Sequence, residues 1–544
     1  MRVLGVNAVF HDPAAALVVD GVTVAALEEE RLSRRKHGKD PVPFATWELP
    51  VAAARWCLEA AGLRPADLDA VAYSYDPSLA PPPGEDLTDD GWEGLRTLYA
   101  GRAPLFLRTA LPGLDPDRVR FVPHHVAHAA SAHLASPHPS SAVLVCDGRG
   151  ERASMLAGHA VDGGLRVLGE QRLPHSLGLM YEEATAHLGF RRSSDEYKVM
   201  ALAAYGRPRH REALRRVVRA DGLSVATGPI RWEDLAPPRP PGEDAPVEEE
   251  HADLAASLQA VLEEVLLELS ATLHALTGEA ALTMAGGVAL NCVANSRIWR
   301  DGPFDHVWVQ PAAGDSGTAL GAALHVAHAL GDAPAPMDTA ALGPGWDDAA
   351  LERCLREADM PFARPPNLAA AVADVIAAGG VVGWFQGRSE FGPRALGHRS
   401  LLGSAAHADM TERLNRVKGR ESFRPVAPMI HLHRAAEIVE GGPLPSPHML
   451  FVHRVRPAFR ARIPAACHVD GTARVQTVDP ADEPLVARLL DEVERRQGLP
   501  VVINTSFNTG GRPMVDAPRD ALECFGASPI AALAMGPFLV TRPT

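Results

Sequence analysis

The chain has 544 residues, of which 46% are hydrophobic and 22% are charged, a composition typical of a globular protein rather than a disordered one. Its length exceeds what one ordinary core supports, so we expect two or three domains. The formal net charge of −14 argues against a general binder of the nucleic-acid backbone, but it allows a local basic pocket for a small anion.

The cysteines and apolar runs indicate the cellular setting. The six cysteines are widely spaced and form no Cys-x-x-Cys pair, which indicates reduced thiols rather than a disulfide framework or a structural zinc site. The N-terminus enters a strand pattern at once and does not resemble a signal peptide. No apolar run approaches the roughly 20 residues that a membrane-spanning helix needs. We therefore expect a cytoplasmic protein with no membrane partner.

The first forty residues predict three strands and a charged segment. An apolar strand at 3–6 precedes the polar dipeptide His11-Asp12, and strands at 15–19 and 22–27 are joined by an Asp-Gly turn, a strong hairpin signal. This strand, polar loop and hairpin are similar to the start of the actin-like, sugar-kinase-like ATPase fold. The charged run at 28–38 is typical of a solvated helix end or loop, with its basic half a candidate anion contact.

Two long loops interrupt the N-terminal half. A helix at 45–62 and a strand at 68–75 lead into the proline-rich, acidic stretch 76–94, and a second such stretch spans 230–250. Loops of this kind are either filler or lids over a substrate. The helix predicted at 253–278 has apolar residues at three- and four-residue steps and belongs to a core.

A histidine-rich segment follows a short apolar strand at 119–122. Pro123 comes next, and proline is tolerated in the first turn of a helix. A helix that starts there places His124 and His128 at i and i+4 on one face. Two imidazoles in that arrangement can share one metal ion. A polar helix face near a core would account for the same pair, so this pattern alone leaves both interpretations open.

Two carboxylates are predicted at strand ends. The buried strand at 142–146 runs into Asp147-Gly148, which places a carboxylate and an accessible backbone at the edge of a sheet. Asp147 follows His128 by nineteen residues. That is enough to finish a helix and return along a neighbouring strand, so a shared site is feasible. A later short strand leads to Asp315, the second carboxylate.

A turn with two glycines, Gly286-Gly287, follows a buried strand and leads into a helix near Asn291. Backbone amides at such a helix start suit a phosphate group or a nucleotide. A glycine pair in this position is therefore a candidate nucleotide contact.

Beyond 330–348, the best candidate for a domain boundary, cations collect at turns. Glycine and proline separate them, which is not the spacing of a surface helix. Fixed cations in an acidic protein indicate a pocket for a small anion, with ordinary surface arginines as the alternative. A strand at 500–508 ends in polar side chains. The residues concerned are Arg388, Arg394, Arg399, Lys418, Arg420, Arg424, Arg474, Asn504 and Ser506.

The order of these motifs identifies a family. Phe-His-Asp, His-His-x-x-His, Asp-Gly-x-Gly-Glu and Gly-Gly-Val-x-Leu-Asn are followed by Gly-Pro-Arg-Ala-Leu-Gly-x-Arg-Ser, Arg-Pro-x-Ala-Pro and Asn-Thr-Ser-Phe-Asn. With these motifs the chain resembles the antibiotic and nodulation-factor O-carbamoyltransferases over nearly its whole length.

The resemblance implies an α/β protein with two modules. Residues 1–335 would form a duplicated actin-like (sugar-kinase- and Hsp70-like) carbamoyl-transfer domain, 336–348 a linker, and 349–544 a YrdC-like α/β domain that makes carbamoyl adenylate. In the second module, carbamoyl phosphate would be hydrolysed to carbamate, which would attack the α-phosphorus of ATP bound with Mg²⁺. In the first module, an acceptor hydroxyl would take the carbamoyl group and AMP would leave.

The same resemblance implies roles for individual residues. One divalent metal ion would be bound by His124, His128, Asp147 and Asp315. The family resemblance makes it iron(II), although zinc or manganese suits the same ligands. His11 would be the general base for the acceptor hydroxyl, and Lys418 and Arg394 would act in adenylate formation. The other substrate and nucleotide contacts would be Arg388, Arg399, Arg424, Arg474, Asn504, Ser506, Gly148, Gly286, Gly287, Asn291 and Lys198.

Three other functions fit part of the pattern. A zinc protease requires glutamate directly after its first histidine, and that position holds His125. A small-molecule kinase of actin-like fold leaves the arginine-rich second module unexplained. A non-catalytic nucleotide-binding regulator needs no base for a hydroxyl. The acceptor is expected to be a hydroxyl-bearing small natural product, such as an antibiotic or its sugar, which the sequence does not identify.

Overall fold

The structure is a computed structural model that describes residues 1–39, 48–81, 93–242 and 245–542. The chain divides into two compact units, Met1–Ala340 and Ala341–Thr544, and the division falls within the stretch expected to be a linker, 336–348. No helix in the described ranges has the length and apolar character needed to cross a membrane.

Two five-stranded sheets with the same topology form the first unit. Its strands are β1 (Arg2–Asn7), β2 (Ala14–Val19), β3 (Val22–Glu28), β4 (Ala70–Tyr73), β5 (Val119–Phe121), β6 (Ser140–Cys146), β7 (Ala153–Val161), β8 (Gly164–Arg172), β9 (Val218–Asp221), β10 (Ser224–Thr227), β11 (Ala281–Ala285) and β12 (His306–Val309). The spatial orders are β3-β2-β1-β4-β5 and β8-β7-β6-β11-β12, and β9 and β10 form a separate pair.

The pairing within the two sheets shows that the first unit is duplicated. In each sheet the first three strands pair antiparallel as a meander, and the last two add in parallel beside the first. This repeated order is the arrangement of the actin-like fold, so the predicted fold class is confirmed. The turn of the first hairpin, Asp20-Gly21, has positive φ at both residues, 50° and 82°, as a tight two-residue hairpin requires.

Two helices bring the sheets together. The helices of this unit are α1 (Glu29–Ser33), α2 (Val51–Ala60), α3 (Glu93–Gly101), α4 (Ala103–Ala110), α5 (His124–His133), α6 (Leu177–His187), α7 (Glu196–Leu202), α8 (Arg211–Val217), α9 (Glu249–Thr277), α10 (Cys292–Asp301) and α11 (Ser316–Ala329). Helices α5 and α11 each follow the last strand of one sheet and pack against each other. A Cβ at Gly321 would lie 1.8 Å from the Ala127 carbonyl oxygen, so only glycine allows this approach.

Several boundaries differ from those predicted. The helix expected at 45–62 begins at Val51, with 45–47 outside the described residues, and α3 begins inside the stretch expected to be loop, 76–94, of which 82–92 are not described. The helix expected at 253–278 begins at Glu249, because the acidic residues before it continue its first turn.

The first half of the charged run at 28–38 is buried, whereas Ser33, Arg35 and Lys36 in its second half are exposed. Glu28, Glu30 and Arg31 are at most 7% exposed. Arg31 Nε lies 3.4 Å from Glu28 Oε2, and its Nη1 lies 3.7 Å from Glu30 Oε1. Mutual charge compensation therefore lets the first half of the run enter the interior, which corrects the sequence prediction for that half.

The second unit is an α/β layer built on one mixed sheet, as predicted. Its strands are β13 (Phe362–Ala363), β14 (Val382–Phe385), β15 (Arg399–Ser404), β16 (Ala427–His431), β17 (Val439–Glu440), β18 (Val452–Val455), β19 (Thr472–Arg474), β20 (Gln476–Val478), β21 (Val501–Ser506), β22 (Ala532–Met535) and β23 (Phe538–Thr541). Eight of them follow the order β13-β23-β22-β14-β15-β21-β16-β20, and β17, β18 and β19 form a second sheet. Its helices are α12 (Asp348–Glu357), α13 (Leu368–Ala377), α14 (Met410–Lys418), α15 (Leu432–Ile438), α16 (Pro457–Arg460), α17 (Pro484–Gln497) and α18 (Pro518–Ala527). All six cysteines of the chain are free thiols.

Candidate functional site

Four polar side chains meet in the interior of the first unit. His124 and His128 lie on one face of α5, Asp147 directly follows β6, and Asp315 directly precedes α11. One nitrogen or oxygen atom from each of the four lies within 4.8 Å of the others, and all four residues are buried. Asp315 was expected at a strand end. It instead occupies the start of a helix six residues after β12, where the helix dipole favours a carboxylate.

The cluster fits a divalent metal ion. His124 Nε2 lies 3.3 Å from Asp147 Oδ2 and 3.6 Å from Asp315 Oδ1, and His128 Nε2 lies 3.7 and 3.5 Å from the same two oxygens. Among the described residues, His128 Nε2 and Asp315 Oδ2 have no hydrogen-bond partner. Buried polar atoms without a partner are costly, and a cation bound here would give both atoms a partner. Two nitrogens and two oxygens suit iron(II), manganese or zinc.

The glycine pair after β11 orients one of these carboxylates. The backbone N–H of Gly287 donates to Asp147 Oδ1 at 2.8 Å. Gly286 has φ 93°, and a Cβ there would lie 2.2 Å from the Cys146 carbonyl oxygen, so the turn requires glycine. Gly148 is also in close surroundings, since its Cβ would lie 3.1 Å from a Glu182 carboxylate oxygen. The structure thus brings all three predicted glycines to Asp147.

A glutamate that the sequence reasoning missed holds the first turn of α5. Glu151 Oε1 accepts hydrogen bonds from the backbone N–H groups of His124 (2.9 Å) and Asp76 (2.8 Å). Pro123 precedes the helix and gives it no side-chain cap, so this carboxylate satisfies a first-turn amide instead. The Ser74 carbonyl oxygen lies 3.3 Å from His124 Nδ1 and turns Nε2 toward the cluster. The Asp-Gly-x-Gly-Glu motif contained this signal.

His11 lies beside the cluster, on the loop after β1. Its Nε2 is 3.8 Å from Asp315 Oδ2, its Nδ1 is 3.0 Å from Asp12 Oδ2, and its side chain remains 31% exposed, so a substrate can reach it. Burial opposes protonation, but Asp315 and Asp12 outweigh it and raise the pKa of His11 to about 10. Asp315 and Asp147 lose most of this influence when a cation neutralises their charge, which returns the imidazole toward its basic form.

Polar groups also gather at the end of β21 in the second unit. Lys418, at the end of α14 and 5% exposed, donates to the Ser506 carbonyl oxygen (2.6 Å) and Oγ (2.7 Å), and it also bonds to Asn508 Oδ1. Asn504 Nδ2 donates to Gln476 Oε1 at 2.9 Å. Its Oδ1 is buried with no hydrogen-bond partner among the described residues. Lys418, Asn504 and Ser506, all three predicted, therefore lie together at the end of β21. The Asn504 side-chain oxygen is available there to accept a hydrogen bond from a ligand.

Two predicted substrate contacts have structural roles. Arg399 is fully buried, and its guanidinium donates to the carbonyl oxygens of Gln386 (2.7 Å) and Pro344 (3.0 Å). Arg388 donates to the Gly343 carbonyl oxygen at 2.9 Å. Both side chains fasten the start of this unit to the segment after β14. These contacts give both arginines a structural role, and substrate binding by either of them stays a prediction.

Three other arginines of the second unit remain candidates for binding phosphate groups. Arg394, Arg424 and Arg474 are each partly buried, and Arg424 Nη1 lies 3.5 Å from Glu421 Oε2. Partial burial raises the electrostatic effect of a cation while leaving it reachable. Their contact with phosphate groups stays a prediction.

A second missed carboxylate shapes the loop that carries Arg394. Glu390 is fully buried, and its Oε1 accepts hydrogen bonds from the backbone N–H groups of Leu396 (2.7 Å), His398 (2.9 Å) and Arg399 (3.1 Å). One carboxylate thus fixes the conformation of the Gly-Pro-Arg-Ala-Leu-Gly motif. The available signal was this acid, two residues before the first glycine of the motif.

The two remaining predicted residues of the first unit have protein partners. Lys198 Nζ lies 3.2 Å from Asp195 Oδ2. Asn291 caps α10 and exchanges hydrogen bonds with the Gln259 amide, one of them at 2.8 Å. These contacts give Asn291 a structural role, and nucleotide binding by either residue stays a prediction.

Comparisons with known proteins agree with the order of motifs. The family model described as "Carbamoyltransferase N-terminus" matches residues 2–79, 102–232 and 239–324, and "Carbamoyltransferase C-terminus" matches residues 373–542. An uncharacterized protein of Synechocystis sp. is 36% identical, with 99% of this chain and 97% of that protein covered. Nodulation protein NolNO of Sinorhizobium fredii is 37% identical, covering 99% and 80%.

Solved structures show only a weak overall likeness. HypF from T. kodakarensis has a TM-score of 0.33 at 17% identity, covering 60% of this chain and 48% of that one. A ROK hexokinase from Thermus thermophilus has a TM-score of 0.29 at 16% identity, covering 60% and 98%. Scores this low support no inference, and the strand order described above stands by itself.

Proposed function

Because the chain belongs to the carbamoyltransferase family, we propose that it is an ATP-dependent O-carbamoyltransferase acting on a hydroxyl-bearing small natural product. The observation that carries the proposal is the buried cluster of His124, His128, Asp147 and Asp315 with the reachable imidazole of His11 beside it. A metal-binding cluster next to a candidate base suits the transfer of an activated carboxyl derivative to a hydroxyl.

The first half-reaction is assigned to the second unit. Carbamate formed from carbamoyl phosphate attacks the α-phosphorus of Mg²⁺-bound ATP, and the bond to pyrophosphate breaks. Arg394, Arg424 and Arg474 compensate the charge on the phosphate oxygens. Lys418 holds Ser506 at the end of β21, and the exchange of one of its hydrogen bonds for a phosphate oxygen brings a further positive charge to ATP.

The second half-reaction is assigned to the first unit. His124, His128, Asp147 and Asp315 would hold a divalent ion, iron(II) by family resemblance, which would supply positive charge for the phosphate of carbamoyl adenylate. His11 accepts the proton of the acceptor hydroxyl as its oxygen bonds to the carbamoyl carbon and AMP departs. Gly148 and the pair Gly286-Gly287 lie around Asp147, and their backbone is assigned to contact with the adenylate.

Analysis of the nucleotide products tests this assignment. The purified protein should release pyrophosphate only when ATP and carbamoyl phosphate are both present, and AMP should accumulate with a carbamoylated hydroxyl compound. A kinase of the same fold would make ADP without carbamoyl phosphate, and that result would refute the proposal. A panel of hydroxylated antibiotics and amino sugars, followed by mass spectrometry, identifies the acceptor.

A further inference from the structure

A chain of hydrogen bonds extends from His11 away from the metal-binding cluster. His11 Nδ1 lies 3.0 Å from Asp12 Oδ2, and the other oxygen of Asp12, Oδ1, lies 2.9 Å from His37 Nδ1. At the far end, His37 Nε2 lies 2.8 Å from Ser194 Oγ. These four residues, which we name the His11 relay, come from the loop after β1, the segment after α1 and the loop before α7. None of them belongs to the cluster itself.

The chemistry of Asp12 determines where the protons lie. Burial opposes its charge, but His37 and His11 hold the pKa of Asp12 well below its usual value, so its carboxylate only accepts hydrogen bonds. Both Nδ1 atoms that face it must therefore carry protons. In a neutral His37 ring, Nε2 then accepts the Ser194 hydroxyl. In a neutral His11 ring, the free lone pair lies on Nε2, the atom that points toward Asp315.

The backbone around the relay is held in a strained form. Asp12 and His37 both have left-handed conformations, with φ 48° and 62°, which cost non-glycine residues free energy. The buried Asn7 side chain donates to the carbonyl oxygens of His11 and Asp12 at 3.0 Å each. Glu30 Oε2 accepts from the His37 backbone N–H at 2.8 Å. Strain that several independent bonds maintain is typical of functional sites.

We propose that Asp12 and His37 are positioning residues that hold His11 in the tautomer whose Nε2 accepts the proton of the acceptor hydroxyl. The inference rests on the proposed function. As the acceptor oxygen bonds to the carbamoyl carbon, the bond from that carbon to the AMP oxygen breaks and the hydroxyl proton moves to His11 Nε2. Asp12 stays ionised and stabilises the imidazolium through the Nδ1 proton. His37, held by Ser194, keeps the carboxylate of Asp12 in the plane of that proton.

A second metal ion is the alternative occupant of this region. Asp12, Glu30 and His37 present atoms close enough together to hold a cation. Each of them is already bonded within the protein, however, because Lys36 Nζ lies 3.2 Å from Glu30 Oε2 and both oxygens of Asp12 face histidine nitrogens. These hydrogen bonds favour a relay over a metal site.

Asp12→Asn tests the positioning role without disturbing the backbone, since asparagine tolerates the left-handed conformation. The single oxygen of the asparagine amide cannot accept hydrogen bonds from both Nδ1 atoms as the two carboxylate oxygens do. The amide also lacks the negative charge that stabilises an imidazolium. The transfer kcat should fall about 10²-fold or more. The KM for the acceptor and the carbamoyl-phosphate-dependent exchange of pyrophosphate into ATP should change less than about threefold, because His11 acts only in transfer. Transfer that stays within threefold of wild type, or exchange that falls in parallel, would overturn the proposal.

Two substitutions of His37 provide a matched pair. His37→Gly removes the side chain at a position where glycine relieves backbone strain, and kcat should fall roughly 10- to 100-fold, as for outer-shell partners of other functional histidines. His37→Asn places an amide N–H where Nδ1 was, so it should recover most of the transfer rate. Equal losses in the two variants would assign His37 a structural role only.

A measurement without substrates separates this proposal from the proposed function. The wild-type proton NMR spectrum should contain low-field ring N–H signals that disappear in His11→Asn and in Asp12→Asn. Absence of these signals would refute the relay. Their presence in a protein that transfers no carbamoyl group would refute the proposed function and, with it, the relay's catalytic role. Elemental analysis that shows a second metal equivalent, lost in Asp12→Asn, would assign this region to a metal instead.

Discussion

Replacing His128 with alanine should remove the metal ion from the first unit while leaving the fold in place. Its two ring nitrogens have no hydrogen-bond partner among the described residues, so removing the ring breaks no hydrogen bond of the metal-free protein. Outer-shell partners of metal ligands contribute 10- to 100-fold to affinity, and a direct ligand should reach at least the upper value. At a metal concentration 100 times the wild-type Kd, binding stabilises the native state by about 2.7 kcal/mol. After a hundredfold loss of affinity, the same concentration stabilises it by only about 0.4 kcal/mol.

The assay compares thermal unfolding with and without a chelator for each variant. Wild type should lose most of its metal-dependent increment on chelation, and His128→Ala should show almost none, with one metal equivalent lost by elemental analysis. His133→Ala is the matched control. His133 lies on the same helix, and its Nδ1 bonds to the Ala129 carbonyl oxygen at 2.7 Å, so this variant should lose stability yet keep the chelator effect. A chelator effect of wild-type size in His128→Ala would refute the assignment of this residue as a ligand.

Four further predictions, the third with a control variant, test separate parts of the structure. His11→Asn should lower the transfer rate by about 10²–10⁴-fold and leave pyrophosphate exchange unchanged; equal loss of both would contradict the division of labour. Lys418→Ala should lower that exchange by about 10²–10³-fold without changing metal content, and an exchange rate like wild type would remove it from adenylate formation. Gly286→Ala should destabilise the first unit, because its Cβ would lie 2.2 Å from a carbonyl oxygen, whereas Gly287→Ala, with its nearest contact at 3.2 Å, is the milder control in thermal unfolding. Glu151→Ala should cost about 1–2 kcal/mol, because the first turn of α5 loses the acceptor of the His124 backbone N–H, and equilibrium unfolding by urea measures the loss.

Local patterns predicted most of the elements that carry the site. The hairpin turn at Asp20-Gly21, the helix that pairs His124 with His128, and the carboxylate after β6 all depend on a few neighbouring residues, whose spacing determines a turn, a helix face or a strand end. The i,i+4 spacing of two histidines fixes their common face in any helix. The site residues that such patterns indicate therefore meet in the structure.

Contacts between segments that are distant in sequence could not be predicted from those local patterns. Arg399 belongs to a motif rich in cations, yet its guanidinium donates to the backbone carbonyl oxygens of residues 344 and 386. The spacing of residues within the motif does not predict these contacts. The charged run at 28–38 was expected in solvent because a run of charges is typical of a solvated helix end or loop. Glu28 and Glu30 instead compensate the charge of Arg31, which lowers the free-energy cost of burying all three side chains. Glu151 and Glu390 satisfy backbone amides, a role that only the folded loops define.

The duplication of the first unit explains why its site has this composition. Each half places a polar loop after its first strand and a helix after its last strand. In one half these positions carry His11 and the histidine pair of α5, and in the other they carry Asp147 and Asp315. The close packing of α5 on α11 at Gly321 brings the four positions to one centre. Equivalent backbone positions thus hold nitrogen ligands and a candidate base on one side, and oxygen ligands on the other. A single half presents only part of the ligand set, so metal binding should require both sheets to be folded, and chelation should lower the unfolding temperature of the whole unit rather than of one sheet.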